Sequence, residues 1–366
     1  MEYKNIADVD ENYSNFFSSA GLKTYDVNEP VFSLYGLCRR EGELDFKRMP
    51  GEVAKNIKNR SVNNLYTNTS GIRVRFKTDS SRIVLKCVLP SVSSSSNMSL
   101  CGTSCFDLYA DGNYCTVFHP GVDENGHDGN GDQMGKNGYT SGYYFRDKEK
   151  KLRDIVINFP LYNDVERVFI ALEEDAQLLP GGTYRHEKPV VFYGSSITQG
   201  GCASHAGNSY ANILSRRLDT DIINLGFSGG CRAEPELGEY IAGLPMSVFV
   251  YDYDHNAPTL EHLQKTHYPF YQQIRNRNPE LPIIMISAAD LCWPNYVERR
   301  AVIRQSYEKA VAGGDKNVYF IDGQEIYREV GLEYCVVDTT HPNDLGFWCM
   351  ANTIGELVGR LLEQSR

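Results

Sequence analysis

The 366-residue chain has no apolar run approaching the roughly 18 residues of a membrane-crossing helix. Its first residues, MEYKNIADVDENYSNFF, lack the basic segment and following apolar stretch of a secretory leader. A soluble, cytoplasmic protein with no membrane partner is the expectation. Positive charge is also short, because 37 Lys and Arg face 47 Asp and Glu, a net charge of -10. Such a surface repels phosphate backbones, so no nucleic-acid partner is expected. Paired Cys-x-x-Cys units are missing as well. Cys101 and Cys105 stand four apart without a second pair, which argues against structural zinc and for two half-buried strand cysteines. The ten cysteines are dispersed, several in apolar runs such as Cys87 in IVLKCVL, as suits buried thiols in a reducing compartment.

What is present divides the chain in two. From about residue 31 to 183 apolar residues recur at every second position: Ile72, Val74 and Phe76 alternate with Arg73, Arg75 and Lys77, and Ile83, Leu85 and Cys87, then Ile155, Ile157 and Phe159, then Val168, Ile170 and Leu172 continue the habit. Strands with one wet and one buried face alternate in this way, and many short ones between Ser, Gly and Asn clusters predict an antiparallel β-sandwich or jelly roll. A glycine-rich polar stretch from Gly121 to Gly142 is expected to be a long loop.

Pro180, Gly181 and Gly182 punctuate the chain, and the pattern changes. PVVFYG (189–194), DIINLG (221–226), SVFVYDYD (247–254), PIIMISA (282–288) and NVYFIDG (317–323) are short apolar runs separated by helical stretches, among them Asn208 to Leu218, Arg299 to Val311 and Leu345 to Leu362. Such strands alternating with helices imply a parallel sheet covered on both faces, a three-layer α/β/α domain of flavodoxin-like kind. Domains of residues 1–183 and 184–366 follow.

Ligands of such sheets sit beyond the carboxyl ends of the strands. Four polar turns fall there: GSSITQGG (194–201), NLGFSGG (224–230), DYDHNAP (252–258) and, before the last helix, DTTHPNDLG (338–346). Each has an ordinary reading by itself. Ser196 would be a helix cap, Gly229 a position of positive φ, Asn256 an Asx-turn and Asp338 a cap for the helix after Pro342. Their joint occurrence in order, at strand ends, favours a catalytic site.

The blocks resemble those of SGNH (GDSL-like) hydrolases, in the order serine, glycine, asparagine, histidine. CFDLY at 105–109 further resembles the Gly-x-Asp-Leu-Tyr motif of a subgroup in which an N-terminal β-sandwich precedes the hydrolase domain. Ser195 stands where the wider family has aspartate, and Cys105 where the motif has glycine. The resemblance implies Ser196 as nucleophile, with Asp338 and His341 completing a triad. It also implies an oxyanion hole from the Ser196 N–H, Gly229 and Asn256.

The chemistry agrees. A serine hydroxyl needs a neighbouring base, and that base an orienting acid, which D-x-x-H supplies on one turn. Two adjacent serines leave open which one attacks, and Ser196 is favoured. Neither a cofactor nor a metal is expected. His205, just past the nucleophile, and His255, beside Asn256, are candidate substrate contacts. Asp252 and Asp254 are expected to stabilise the loop that presents Asn256. Asp107 and Tyr109 share a strand face.

The expected activity is ester hydrolysis removing short acyl groups, acetyl foremost, from a small-molecule or oligosaccharide substrate. The 24 tyrosines offer flat, polar-tipped surfaces suited to sugars. The alternatives are a lipase or thioesterase for longer acyl chains, or a glycan-binding protein without catalysis. The sugar, its acylated position and the oligomeric state stay open.

Overall fold

The computed structural model describes residues 21–38, 42–119, 138–147, 150–290 and 295–364. They form two units, one of residues up to Arg48 with Thr67–Thr183 and Ser204–Gly207, the other of Met49–Tyr66, Tyr184–Ala203 and Asn208 onward. This differs from a single cut at 183/184 in two segments, 49–66 and 204–207.

Among the described residues the first unit holds ten strands: β1 (Leu22–Asp26), β2 (Ser33–Tyr35), β3 (Arg73–Thr78), β4 (Arg82–Val88), β5 (Phe106–Ala110), β6 (Asn113–Phe118), β7 (Tyr139–Tyr144), β8 (Arg153–Asn158), β9 (Arg167–Glu173) and β10 (Leu178–Pro180). A four-stranded sheet runs β1-β9-β4-β7, and a six-stranded sheet runs β10-β3-β8-β5-β6 with β2 also on β3. All their pairings are antiparallel. Val74 lies opposite Ile157 and Phe76 opposite Ile155, while Leu85 faces Ile170 and Cys87 faces Val168. These residues are fully buried in one apolar core, so the period-two pattern places them between the sheets.

The other face is drier than alternation predicts. Arg73 is 1 % exposed and Arg75 7 %. Arg73 donates to the Gly71 carbonyl at 2.6 Å and Arg75 pairs with Asp154 at 2.8 Å, so each charge is answered locally. The stretch expected to loop from Gly121 to Gly142 ends in β7, and its residues 121–137 lie outside the described ones.

The second unit carries β11 (His186–Gly194), β12 (Thr220–Gly226), β13 (Val248–Asp252), β14 (Ile283–Ile286) and β15 (Val318–Ile321), all parallel, in the order β12-β11-β13-β14-β15. This is the flavodoxin-like order. Successive residues of β11 point to opposite layers: Phe192 meets Tyr210 of helix Tyr210–Leu218, and Tyr193 stacks on Phe270 of helix Leu260–Arg277 at 5.0 Å. Helix Asp344–Gln364 joins the first layer through Phe347, and helices Pro235–Ala242 and Tyr296–Ala312 join the second.

Two short helices, Gly51–Asn56 and Arg60–Leu65, add Ala54 and Val62 to the second layer's core. Sequence distance hid this, since their apolar residues find partners more than a hundred positions away. No helix among the described residues is long and apolar enough to cross a membrane.

Candidate active site

Everything at the site follows from how β11 ends. Its last residue, Gly194, pairs with Asp252 of β13, and a Cβ there would stand 2.1 Å from the Thr198 hydroxyl and 2.5 Å from the Asp252 carbonyl. Only glycine lets the chain turn this tightly from strand into helix Ser196–Gln199. Ser195 caps that helix, its hydroxyl accepting from the Ile197 N–H at 3.1 Å, and is fully buried. Its oxygen is therefore committed to the backbone. Ser196 opens the helix, and its Oγ lies 2.8 Å from His341 Nε2.

His341 sits in a short loop closed by a bridge between Val336 and Pro342. Its Nδ1 lies 3.0 and 2.9 Å from the two Asp338 carboxylate oxygens. A carboxylate only accepts, so Nδ1 carries the proton and the Nε2 lone pair faces Ser196. The same carboxylate takes the His341 N–H at 2.9 Å, wrapping the turn through Thr339, whose φ is +71°. Asn343, not Asp338, caps the last helix, its Oδ1 accepting from the Gly346 N–H at 3.0 Å.

Asn256 ends the 3-10 turn Asp254–Asn256 and is half-buried. Its Oδ1 accepts the Cys231 N–H at 3.2 Å, which fixes the amide orientation and leaves Nδ2 as the donor. Gly229 has φ +66°, and a Cβ there would meet only the Ser61 hydroxyl, at 4.0 Å. Glycine is required here by backbone conformation rather than space.

Two buried supports hold these turns. Arg299, 5 % exposed, donates to Asp254 Oδ1 at 2.9 Å and to the Ala257 carbonyl at 3.1 Å, gripping the chain on both sides of Asn256. Asp254 Oδ2 also accepts the Ala288 N–H at 3.0 Å. Asp252 accepts from Thr198 at 3.2 Å and Tyr210 at 3.4 Å, and burial raises its carboxyl above the usual range. Gln199 Oε1 accepts the Ser228 N–H at 3.0 Å, and Asn59 donates to the Gly230 carbonyl at 2.7 Å, bracketing Gly229. Gln199, Asn59 and Arg299 escaped sequence reasoning, because single polar residues in ordinary surroundings carry no local signal.

The two histidines expected to touch substrate each lie beside a buried carboxylate. His255 is 7 % exposed, its Nε2 3.4 Å from Asp290 Oδ1 with angles that make no hydrogen bond. Burial alone would lower its pKa, but Asp290, Asp252 and Asp254 outweigh that and push it up to about 9. It lies buried among these carboxylates in the loop's foundation. His205 belongs to the first unit, where Nδ1 lies 2.6 Å from buried Asp107 and its ring stacks on Tyr114 at 4.9 Å. Asp107 Oδ1 also accepts from Asn158 at 2.7 Å. Cys202, 8 % exposed, stands near Asp338, and burial together with that charge pushes its thiol up to about 12. It is no rival nucleophile at neutral pH.

A hydroxyl on an imidazole held by a carboxylate, beside amide donors on neighbouring turns, is the arrangement acyl transfer requires. Residues 187–358 match the model of the GDSL-like Lipase/Acylhydrolase family, and residues 22–178 that of the N-terminus of Esterase_SGNH_hydro-type. The chain belongs to this SGNH (GDSL-like) esterase family. The chain is similar to a structure described as a GDSL-like lipase from Bacteroides ovatus ATCC 8483, at 26 % identity over 93 % of this chain and 98 % of that one, TM-score 0.80. It shares its fold with salicylyl-acyltransferase SsfX3 from a tetracycline biosynthetic pathway (20 % identity, 93 % and 98 % covered, TM-score 0.73). The same holds for the acetyl xylan esterase Est2A of the rumen bacterium Butyrivibrio proteoclasticus (12 %, 94 % and 99 %, TM-score 0.56). No curated protein matches the sequence. Membership of this SGNH family supports ester hydrolysis as the class of reaction.

Proposed function

We propose that the protein is a serine esterase that removes short acyl groups, acetyl foremost, from carbohydrates. The observation that carries the mechanism is the continuous line from Ser196 Oγ to His341 Nε2 at 2.8 Å and from Nδ1 to Asp338 at 2.9 Å. His341 takes the Ser196 proton as Oγ attacks the acyl carbon. The carbonyl oxygen becomes an oxyanion held by the Ser196 N–H, the Gly229 N–H and Asn256 Nδ2. Collapse of the intermediate returns the proton through His341 to the sugar oxygen, leaving an acyl-serine. Water, deprotonated by the same imidazole, then releases the acid. The carbohydrate part of the reading draws its support from the fold shared with Est2A and from the tyrosine-rich composition.

The deciding experiment measures acetate release from a panel of acetylated oligosaccharides, with the Ser196→Ala protein as control. Release by the intact protein alone is expected. A marked preference for p-nitrophenyl octanoate over acetate, without release from any sugar, would move the assignment to a lipase or thioesterase. Sugar binding without hydrolysis of any ester would make it a binding protein.

A further inference from the structure

Cys202 lies three residues beyond the nucleophile helix, buried and in the left-handed region at φ +72°. Its sulfur, an Asp338 carboxylate oxygen and a His341 ring nitrogen all lie within 4.8 Å of one another. Thiolate, imidazole and carboxylate are the donors zinc prefers, and ligand atoms around a tetrahedral zinc stand about 3.5 Å apart, so the cluster must close by only about 1 Å at its widest.

We infer that Cys202, Asp338 and His341 form an inhibitory site for a thiophilic divalent cation, zinc above all. The inference rests on the reading of His341 as the general base. On binding, the Cys202 thiol releases its proton to solvent and the sulfur coordinates, while Asp338 and one ring nitrogen complete three protein ligands. The ion disables the base from the Nδ1 side of the ring, where Asp338 already lies. At Nδ1 it displaces the ring proton to Nε2, which then donates to Ser196 instead of accepting. Asp338 is drawn from orienting the imidazole to binding the ion. The ion therefore competes with catalysis rather than assisting it, and the metal-free enzyme is the active one.

The test uses the whole protein, p-nitrophenyl acetate and zinc chloride, with Cys202→Ala and Cys202→Gly as variants, the latter suited to positive φ. Activity without added metal should be insensitive to EDTA and close to normal in both variants. Zinc should inhibit the parent protein reversibly, and about tenfold or more zinc should be needed in the variants. Binding is read separately from the ultraviolet thiolate-to-cadmium charge-transfer band, present in the parent and in Ser196→Ala and absent from both Cys202 variants. Absence of the band in the parent, or equal zinc inhibition of parent and variants, overturns the metal site. A Cys202-dependent band with undiminished esterase activity would instead overturn His341 as the base.

Discussion

The two ends of the five-stranded parallel sheet differ in a way that instructs. The amino ends border a hollow of about 670 Å³ lined by Arg185, Lys188, Ser247, Arg277, Glu280 and Pro282 among others. It has volume and charge, but the hydroxyl of Ser247 in its lining donates to the Pro189 carbonyl at 3.1 Å. The carboxyl ends carry Ser196, Asp252, Asp254, His255, Asp290 and Arg299, all nine-tenths buried. At carboxyl ends strands hand over to turns and helix starts, whose N–H groups converge on what sits there. On the proposed mechanism reactivity follows this convergence of donors and not the size of the hollow.

The comparison breaks most directly at Ser196. Ser196→Ala should lower kcat on p-nitrophenyl acetate by about 10⁴-fold or more, whereas Ser195→Ala should keep most activity and lose about 1 kcal/mol of stability with its cap. Reversed results would place the nucleophile one residue earlier. Next in size is Arg299→Met, which removes the ion-pair partner of buried Asp254. Urea unfolding should show a loss of about 3–5 kcal/mol, with kcat falling as the Asn256 turn loosens. A variant as stable as the parent would deny Arg299 its role in the foundation.

Asn256→Ala removes one donor to the developing oxyanion, so kcat should fall about 10²-fold with KM little changed. A raised KM at unaltered kcat would make Asn256 a ground-state contact. The buried His255 tests the charge of the carboxyl end. Its pKa is raised from 6.5 to about 9 in the fold, so its stabilisation is full below about pH 6.5 and is lost as pH rises through about 9. The slope should reach at most about 1.4 kcal/mol per pH unit, and His255→Gln should flatten it in pH-dependent urea titrations. The smallest effect belongs to the amino end. Arg185 meets Glu363 in an exposed pair at 2.9 Å, and Arg185→Ala should change activity less than about twofold. A large loss there would mean the hollow takes part in the reaction.

Legibility in the sequence followed the range of the interactions. All five apolar runs of the second half became strands, with ends shifted by a few residues, because a strand buried on both faces must be apolar along its length. The four turns were legible because a tight strand-to-helix turn, a left-handed glycine and a D-x-x-H loop each constrain residues close in sequence. Helix Leu260–Arg277 was less visible, with His267 buried among its apolar residues and Pro269 inside it. The burial of His255 was not legible because nothing nearby in sequence announces Asp290, thirty-five positions on.

The sequence by itself determined the strand periods, the break after Pro180 and the order of serine, glycine, asparagine and histidine, since all are local consequences of backbone geometry and side-chain alternation. Only the tertiary structure decided that Ser195 caps and Ser196 faces His341, that Arg299 rather than a neighbour clamps Asn256, and that residues 49–66 complete the second unit's core. Those outcomes depend on side chains brought together across tens to hundreds of residues. Hydrogen-bond direction and buried charge act over a few ångströms, and only the packed chain sets those distances.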